Sequence, residues 1–167
     1  LPTAGKAERA VVIFHRGHEH SGRVANLVKE LALPDCAFFA WDARGHGRSP
    51  GERGWATHFG RVVADIDNFV SHVSTTFNIA ISDMAVIGNS VGAVAVAAWV
   101  HDFAPPIGAM VLATPAFAVK LYVPFAVPGM RLMQRIGRMR TIKSYVKPNV
   151  LTHDFAEQQA YRADPLI

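Results

Sequence analysis

Half of the 167 residues are hydrophobic and 18% are charged, which excludes a disordered chain and suits one globular unit with a sizeable core. No stretch reaches the roughly 20 uninterrupted apolar residues of a membrane-spanning helix; the longest candidate, Met84 to Val100, is broken by Gly88, Asn89, Ser90 and Gly92. The net charge of +4 is local: no Asp or Glu lies between Asp102 and Asp154, an interval whose seven Lys and Arg residues leave the rest of the chain at −3.

In chain order, Arg9 to His15 is a β-branched apolar run and predicts a buried strand. A Gly- and His-rich loop, Arg16 to Ser21, leads into a helix with Val24, Leu27, Val28 and Leu31 on one face. Cys36 to Trp41 predicts a second buried strand, with Cys36, the single cysteine, as a core thiol. Asp42 to His58 is a long Gly-, Arg- and Pro-containing loop, and loops of that length tend to be functional. A helix from about Phe59 to Phe77 follows, its inward stripe Val62, Ile66, Phe69, Val70, Val73 and Phe77. Met84 to Gly88 predicts a third strand, Val91 to Phe103 a buried helix stopped by Pro105-Pro106, and Ile107 to Ala113 a fourth strand.

This alternation implies an α/β fold: a mostly parallel, doubly wound sheet with helices on both faces. Sites on such sheets lie at the carboxyl ends of the strands. Beyond Pro115 the rhythm changes. Lys120 to Lys147, rich in Arg and Met, reads as an inserted helical segment, so we divide the chain into a core, 1–116, and the start of a helical cap, 117–167. Leu1 in place of Met, and an ending at Ala163 to Ile167 that resembles the start of another element, are read as truncation at both ends.

Gly88-Asn89-Ser90-Val91-Gly92 is G-x-S-x-G between a strand and a helix. A serine there sits on a sharp, strained turn that lifts its hydroxyl clear of the sheet. Small residues two before and two after let strand and helix approach. The amide of Val91, at the helix N-terminus, can face an oxyanion. An ordinary Gly/Ser turn is the plainer alternative, and the placement favours a nucleophile. The second cluster, His15 to Arg23, follows the first strand. Its histidines, with Glu19, also permit a metal site, but no second cluster with metal spacing accompanies them. Alternatively, these side chains brace the loop. Asp42 to Ser49 lacks the Walker spacing and reads as structural bracing.

His-x-Gly-x-Glu-His-Ser-Gly-Arg, then Asp-x-Arg-Gly-His-Gly-x-Ser, then Gly-x-Ser-x-Gly resembles the monoacylglycerol lipase and lysophospholipase branch of the α/β-hydrolases, often labelled serine aminopeptidase-like. It is similar in particular to bacterial hydrolase domains that can be fused to a methyltransferase. The resemblance implies Ser90 as nucleophile, Gly17 and Val91 as oxyanion donors, Gly88, Asn89 and Gly92 as the elbow, and His15, Glu19 and His20 as the supporting loop. Arg16 departs from the Gly of many relatives, narrowing the pocket or placing a cation near it. The resemblance further implies that the first two strands of the family lie before Leu1 and that its acid and histidine follow the cap. His153 and Asp154 are therefore read as a solvated or capping pair.

The function so implied is hydrolysis of a lipid-like carboxylic ester through a Ser90 acyl-enzyme, without metal or cofactor and without a nucleic-acid partner, in the cytoplasm. A non-catalytic binding module and an acyltransferase are the alternatives. In the cap segment, Leu132, Met133, Ile136 and Met139 share a helical face beside Arg131, Arg135, Arg138 and Arg140. That face either covers the active site, which we favour, or rests on an anionic membrane surface.

Overall fold

Four short apolar runs pair side by side in the computed structural model, which describes residues 7–118, 126–135 and 148–167. They are β1 (Arg9–Phe14), β2 (Cys36–Ala40), β3 (Met84–Asn89) and β4 (Ala109–Ala113), all parallel and in the order β2-β1-β3-β4. β1 is central and β-branched, with all of its residues after Arg9 buried, as a strand covered on both faces must be. The register aligns Phe14 with Gly88 and Asn89 with Ala113. The carboxyl ends of β1, β3 and β4 are therefore level, and the loops leaving them meet.

The helices are α1 (Ala25–Leu31), preceded by a 3-10 turn at Ser21–Val24, α2 (Phe59–Phe77) and α3 (Val91–Phe103). By strand alternation Ala10, Val12 and Phe14 face one side of the sheet. They join Val63, Ile66, Val70 and Val73 of α2 and Ala95, Val96 and Trp99 of α3 in one core. Trp99 buries its ring there and donates its indole N–H to Asp67 Oδ1 at 2.9 Å, which satisfies the polar edge of an otherwise apolar contact. His58 caps α2 by accepting the N–H of Arg61, and Asn78 ends the helix in the left-handed conformation.

Three details depart from the sequence reading. Phe77 is 48% exposed and Val63 is buried in its place. The stripe counted from Val62 drifts off the buried face by the end of this 19-residue helix, and Phe77 instead packs against Phe39 with the rings tilted, centroids 4.6 Å apart. No residue of α1 is buried. Cys36 is only half-buried, because it opens β2 at the edge of the sheet. The strand ends also move by one or two residues, β1 stopping at Phe14 and β4 starting at Ala109. On β4, Met110 and Val111 are exposed.

Contacts divide the chain into two compact units, Leu1–Ala116 with Asp164–Ile167, and Phe117–Ala163. Four residues that the sequence groups with the second segment thus pack with the first unit. The described parts of the second unit include α4 (Ala126–Arg135), α5 (Pro148–Leu151) and α6 (Phe155–Ala163). On α4, Leu132 and Met133 are exposed; Ile136, Arg138, Met139 and Arg140 lie outside the described residues. Asp154 accepts the N–H of Ala156 at 2.8 Å and caps α6, the capping role read for it. No described helix is long and apolar enough to cross a membrane.

Ile66 has no solvent exposure. Ile66→Ala should therefore lower the unfolding free energy by about 2–5 kcal/mol. Phe77→Leu, at a half-exposed ring, should cost less than about 1.5 kcal/mol. Urea denaturation of the two variants checks the ranking.

Candidate active site

Ser90 joins β3 to α3 with φ 55° and ψ −114°, a conformation that costs a non-glycine residue of order 1–3 kcal/mol and persists only where its surroundings impose it. Those surroundings are visible. The Ser90 N–H donates to Ala113 O at 2.9 Å, tying the turn to the end of β4, and Ser90 O accepts the N–H of Val94. A Cβ on Gly88 would lie 2.6 Å from Ala93 Cα, and one on Gly92 would lie 2.5 Å from His15 O and 2.6 Å from Phe14 O. Only glycine fits at either position. The strand and helix approach as closely as the motif requires, and the helix rests against the carboxyl end of β1.

Ser90 is partly exposed. Since α3 starts at Val91, the Val91 N–H belongs to the first helical turn, whose amides have no intrahelical acceptor. Asn89 Oδ1 accepts the hydroxyl of Thr114 at 3.2 Å, so the elbow is bonded to the residue after β4 through side chains as well. Gly17 approaches this turn from the β1 loop: a Cβ there would lie 3.8 Å from Val91 Cγ2. Gly17 and Val91 line one cavity of about 170 Å³, together with Arg16, His15, Trp41, His46 and Trp55. The structure thus brings together the elbow and the β1 loop. Arg16 lines the cavity but is paired, its Nε donating to Glu19 Oε1 at 3.2 Å, so the cation it adds is partly neutralised.

The histidines of the β1 loop are engaged within the protein. His15 Nδ1 donates to Arg16 O at 2.6 Å, and its Nε2 accepts the Ala43 N–H at 3.0 Å. Burial, and then the nearby His46 and His20, hold its pKa below the ordinary histidine value despite the Arg16 carbonyl and Asp42. His15 is therefore neutral, with both nitrogens used, and is neither a general base nor a metal ligand in this arrangement. His20 is likewise bonded on both ring nitrogens, to Gly22 N and to Asp164 Oδ2. Among the described residues no three His, Cys, Asp or Glu side chains are grouped to hold a metal.

Asp42 holds the two loops together. Its Oδ1 accepts the N–H of Ser21 at 2.7 Å and its Oδ2 that of Arg48 at 2.8 Å. Burial raises its pKa, but those hydrogen bonds and the neighbouring His20 bring it below the ordinary value. Gly47, at φ 50°, leaves the room in which the Asp42 carboxylate lies. Arg44 forms a two-pronged pair with Asp65 of α2 at 2.9 and 2.8 Å. The motif Asp42 to Ser49 braces the loop, in keeping with its sequence. Asp164 is the residue the sequence did not single out; nothing local marks a carboxylate 144 positions from its partner.

Residues 5–167 match the family described as serine aminopeptidase, S33. The chain is 52% identical over 161 residues to the uncharacterized protein YnbC of Escherichia coli, covering 96% of this chain and 28% of that protein. It is 30% identical over 161 residues to a monoglyceride lipase homolog of Monkeypox virus, covering 94% and 56% respectively. The crystal structure of a monoacylglycerol lipase from Paleococcus ferrophilus superposes with a TM-score of 0.77 at 27% identity, over 95% of this chain and 59% of that one. The chain therefore spans less than two thirds of each of these proteins.

Two substitutions test the geometry. Gly92→Ala places a methyl against two carbonyl oxygens and should destabilise by about 1–3 kcal/mol. Gly129→Ala, on α4 with nothing within 4 Å, should leave the thermal midpoint unchanged or raise it. For Asp42→Asn, one backbone N–H loses its acceptor and faces an amide N–H₂, costing about 1–3 kcal/mol. Because the Asp42 pKa is depressed on folding, its ionic contribution is complete above the ordinary value of 3.8 and is lost as pH falls through the lower folded value. The urea-midpoint gap between wild type and Asp42→Asn should be constant from about pH 7 to 5 and shrink below about pH 4.

Proposed function

On the premise that this chain belongs to the serine aminopeptidase, S33 family of α/β-hydrolases, we propose that it carries the nucleophile and oxyanion donors of a lipase- or esterase-type serine hydrolase. The observation that carries this is Ser90 held at φ 55° between two glycines that admit no Cβ. Ser90 Oγ attacks the carbonyl carbon of an ester. The amides of Gly17 and Val91 hold the resulting tetrahedral oxyanion; its collapse expels the alcohol, which takes up the proton that Ser90 gave up, and leaves the Ser90 acyl-enzyme, which water then hydrolyses. Losing one such donor costs about 3 kcal/mol of barrier.

The chain spans less than two thirds of the proteins it resembles, and this reading assigns the histidine that removes the serine proton, and the acid that orients it, to the remainder of the whole protein. His15 and His20 have both nitrogens engaged, and Asp154 caps α6. The similarity to a monoglyceride lipase homolog and to a monoacylglycerol lipase structure supports a monoacyl lipid ester as substrate, and the apolar cavity beside Val91 accommodates part of one. Acyl transfer requires only that an alcohol replace water at the acyl-enzyme.

Fluorophosphonate labelling of the whole protein tests the nucleophile. Labelling should be complete in the wild type and absent in Ser90→Ala; labelling that survives the substitution places the nucleophile elsewhere. Residues 1–167 alone should hydrolyse esters barely above background, since the general base is missing. Robust Ser90-dependent turnover by that fragment would refute the assignment of the base.

A further inference from the structure

The His20–Asp164 pair spans 144 residues and lies at the root of the β1 loop. His20 is 8% exposed. Its Nδ1 lies 3.1 Å from the backbone nitrogen of Gly22, and its Nε2 lies 2.8 Å from Asp164 Oδ2. A backbone N–H can only donate, so Nδ1 must be the unprotonated acceptor. The ring proton is then on Nε2 and is donated to the carboxylate. The first bond caps the 3-10 turn Ser21–Val24; the second fixes the tautomer that makes the first possible.

Asp164 is built to stay a carboxylate. Its Oδ1 accepts the N–H of Leu166 at 3.0 Å, and Arg23 Nη1 lies 3.7 Å from Oδ2. Burial raises its pKa, but the bonds from His20 and Leu166 and the charge of Arg23 bring it below the ordinary value. It belongs, with Pro165 to Ile167, to the same compact unit as the β1 loop.

We propose that Asp164 is a positioning residue for the oxyanion site: by holding His20 in the Nε2–H tautomer, it fixes the loop that presents the Gly17 amide. The proposal rests on the reading of Ser90 as nucleophile. Without the carboxylate, the Nδ1–H tautomer of His20 becomes accessible, and that proton opposes the Gly22 N–H. The loop then loses its cap three residues beyond Gly17 and two beyond His18, which itself has φ 55°. Displacing an aligned group by a fraction of an ångström lowers turnover without abolishing substrate binding.

The test uses the whole protein and a short-chain p-nitrophenyl ester. Asp164→Ala should lower kcat about 10- to 100-fold with KM changed less than about threefold, and slow fluorophosphonate labelling in parallel. Asp164→Asn retains an oxygen that can accept from Nε2–H and should recover most of the loss. Long-range ¹⁵N–¹H spectra should show the Nε2–H tautomer at His20 in the wild type and a mixture in Asp164→Ala. Wild-type kcat and labelling rate in Asp164→Ala, a loss confined to KM, or a wild-type His20 in the Nδ1–H form each overturn the proposal. Labelling that survives Ser90→Ala removes the nucleophile reading and this proposal with it. Ser90-dependent labelling at an unchanged rate in Asp164→Ala removes this proposal alone.

Discussion

The first turn of α3 lies so close to the end of β1 that no side chain fits between them. Gly92 faces the carbonyls of Phe14 and His15, and Gly88 faces the backbone of Ala93. This contact forces the chain to turn within one residue, and Ser90 takes the strain as a positive φ. It also brings Val91 beside the loop that leaves β1. A helix starting one residue later, or standing one methyl further away, would separate the serine, the helix amide and Gly17. The strain is held by the surrounding parallel sheet: β1 is buried on both faces, and β4 accepts the Ser90 N–H.

Carboxylates hold the loops around that turn. Asp42 joins the loops after β1 and β2 through two backbone amides, Asp65 joins the second of these loops to α2 through Arg44, and Asp164 holds His20. A carboxylate suits this work because it is all acceptor and reaches two donors at once. Loops expose backbone N–H groups that neither helix nor sheet satisfies, and a short charged side chain fixes several of them in one geometry. The same logic accounts for the histidines. His15 and His20 each have a backbone N–H on one nitrogen and an oxygen on the other, so the ring works as a spacer with one donor and one acceptor.

What the sequence made legible was what has short period or short range. Four apolar runs separated by helical stripes announced a parallel sheet, and G-x-S-x-G between a strand and a helix located the elbow. What it hid depends on tertiary context. Phe77 continues the stripe of α2 on paper, but Val63 takes the buried place and Phe77 packs against Phe39 at the rim. Cys36 reads as core from its neighbours and is half-buried because β2 is an edge strand. Asp164 in Ala163-Asp164-Pro165 carries the look of a turn, and only the folded chain shows that it closes on His20.

The division of labour within the site follows from chain order. The proposed nucleophile and amide donors come from β1, β3 and the turns that leave them, elements adjacent in the sheet, brought close by backbone contacts and braced by side chains such as Asn89 and His20. Backbone donors are already aimed before substrate arrives, which is what makes them effective against a developing charge. A general base, by contrast, is a side chain, and its proton transfer tolerates delivery from a separate loop so long as it comes within hydrogen-bond reach. On the proposed reading, electrostatic preorganisation rests on strand register, two glycines and the side chains that brace the β1 loop, whereas the base needs only to reach the serine. The His15 ring illustrates the distinction: it stands at the end of β1 beside the cavity, yet its bonds to Arg16 O and Ala43 N commit it to holding backbone.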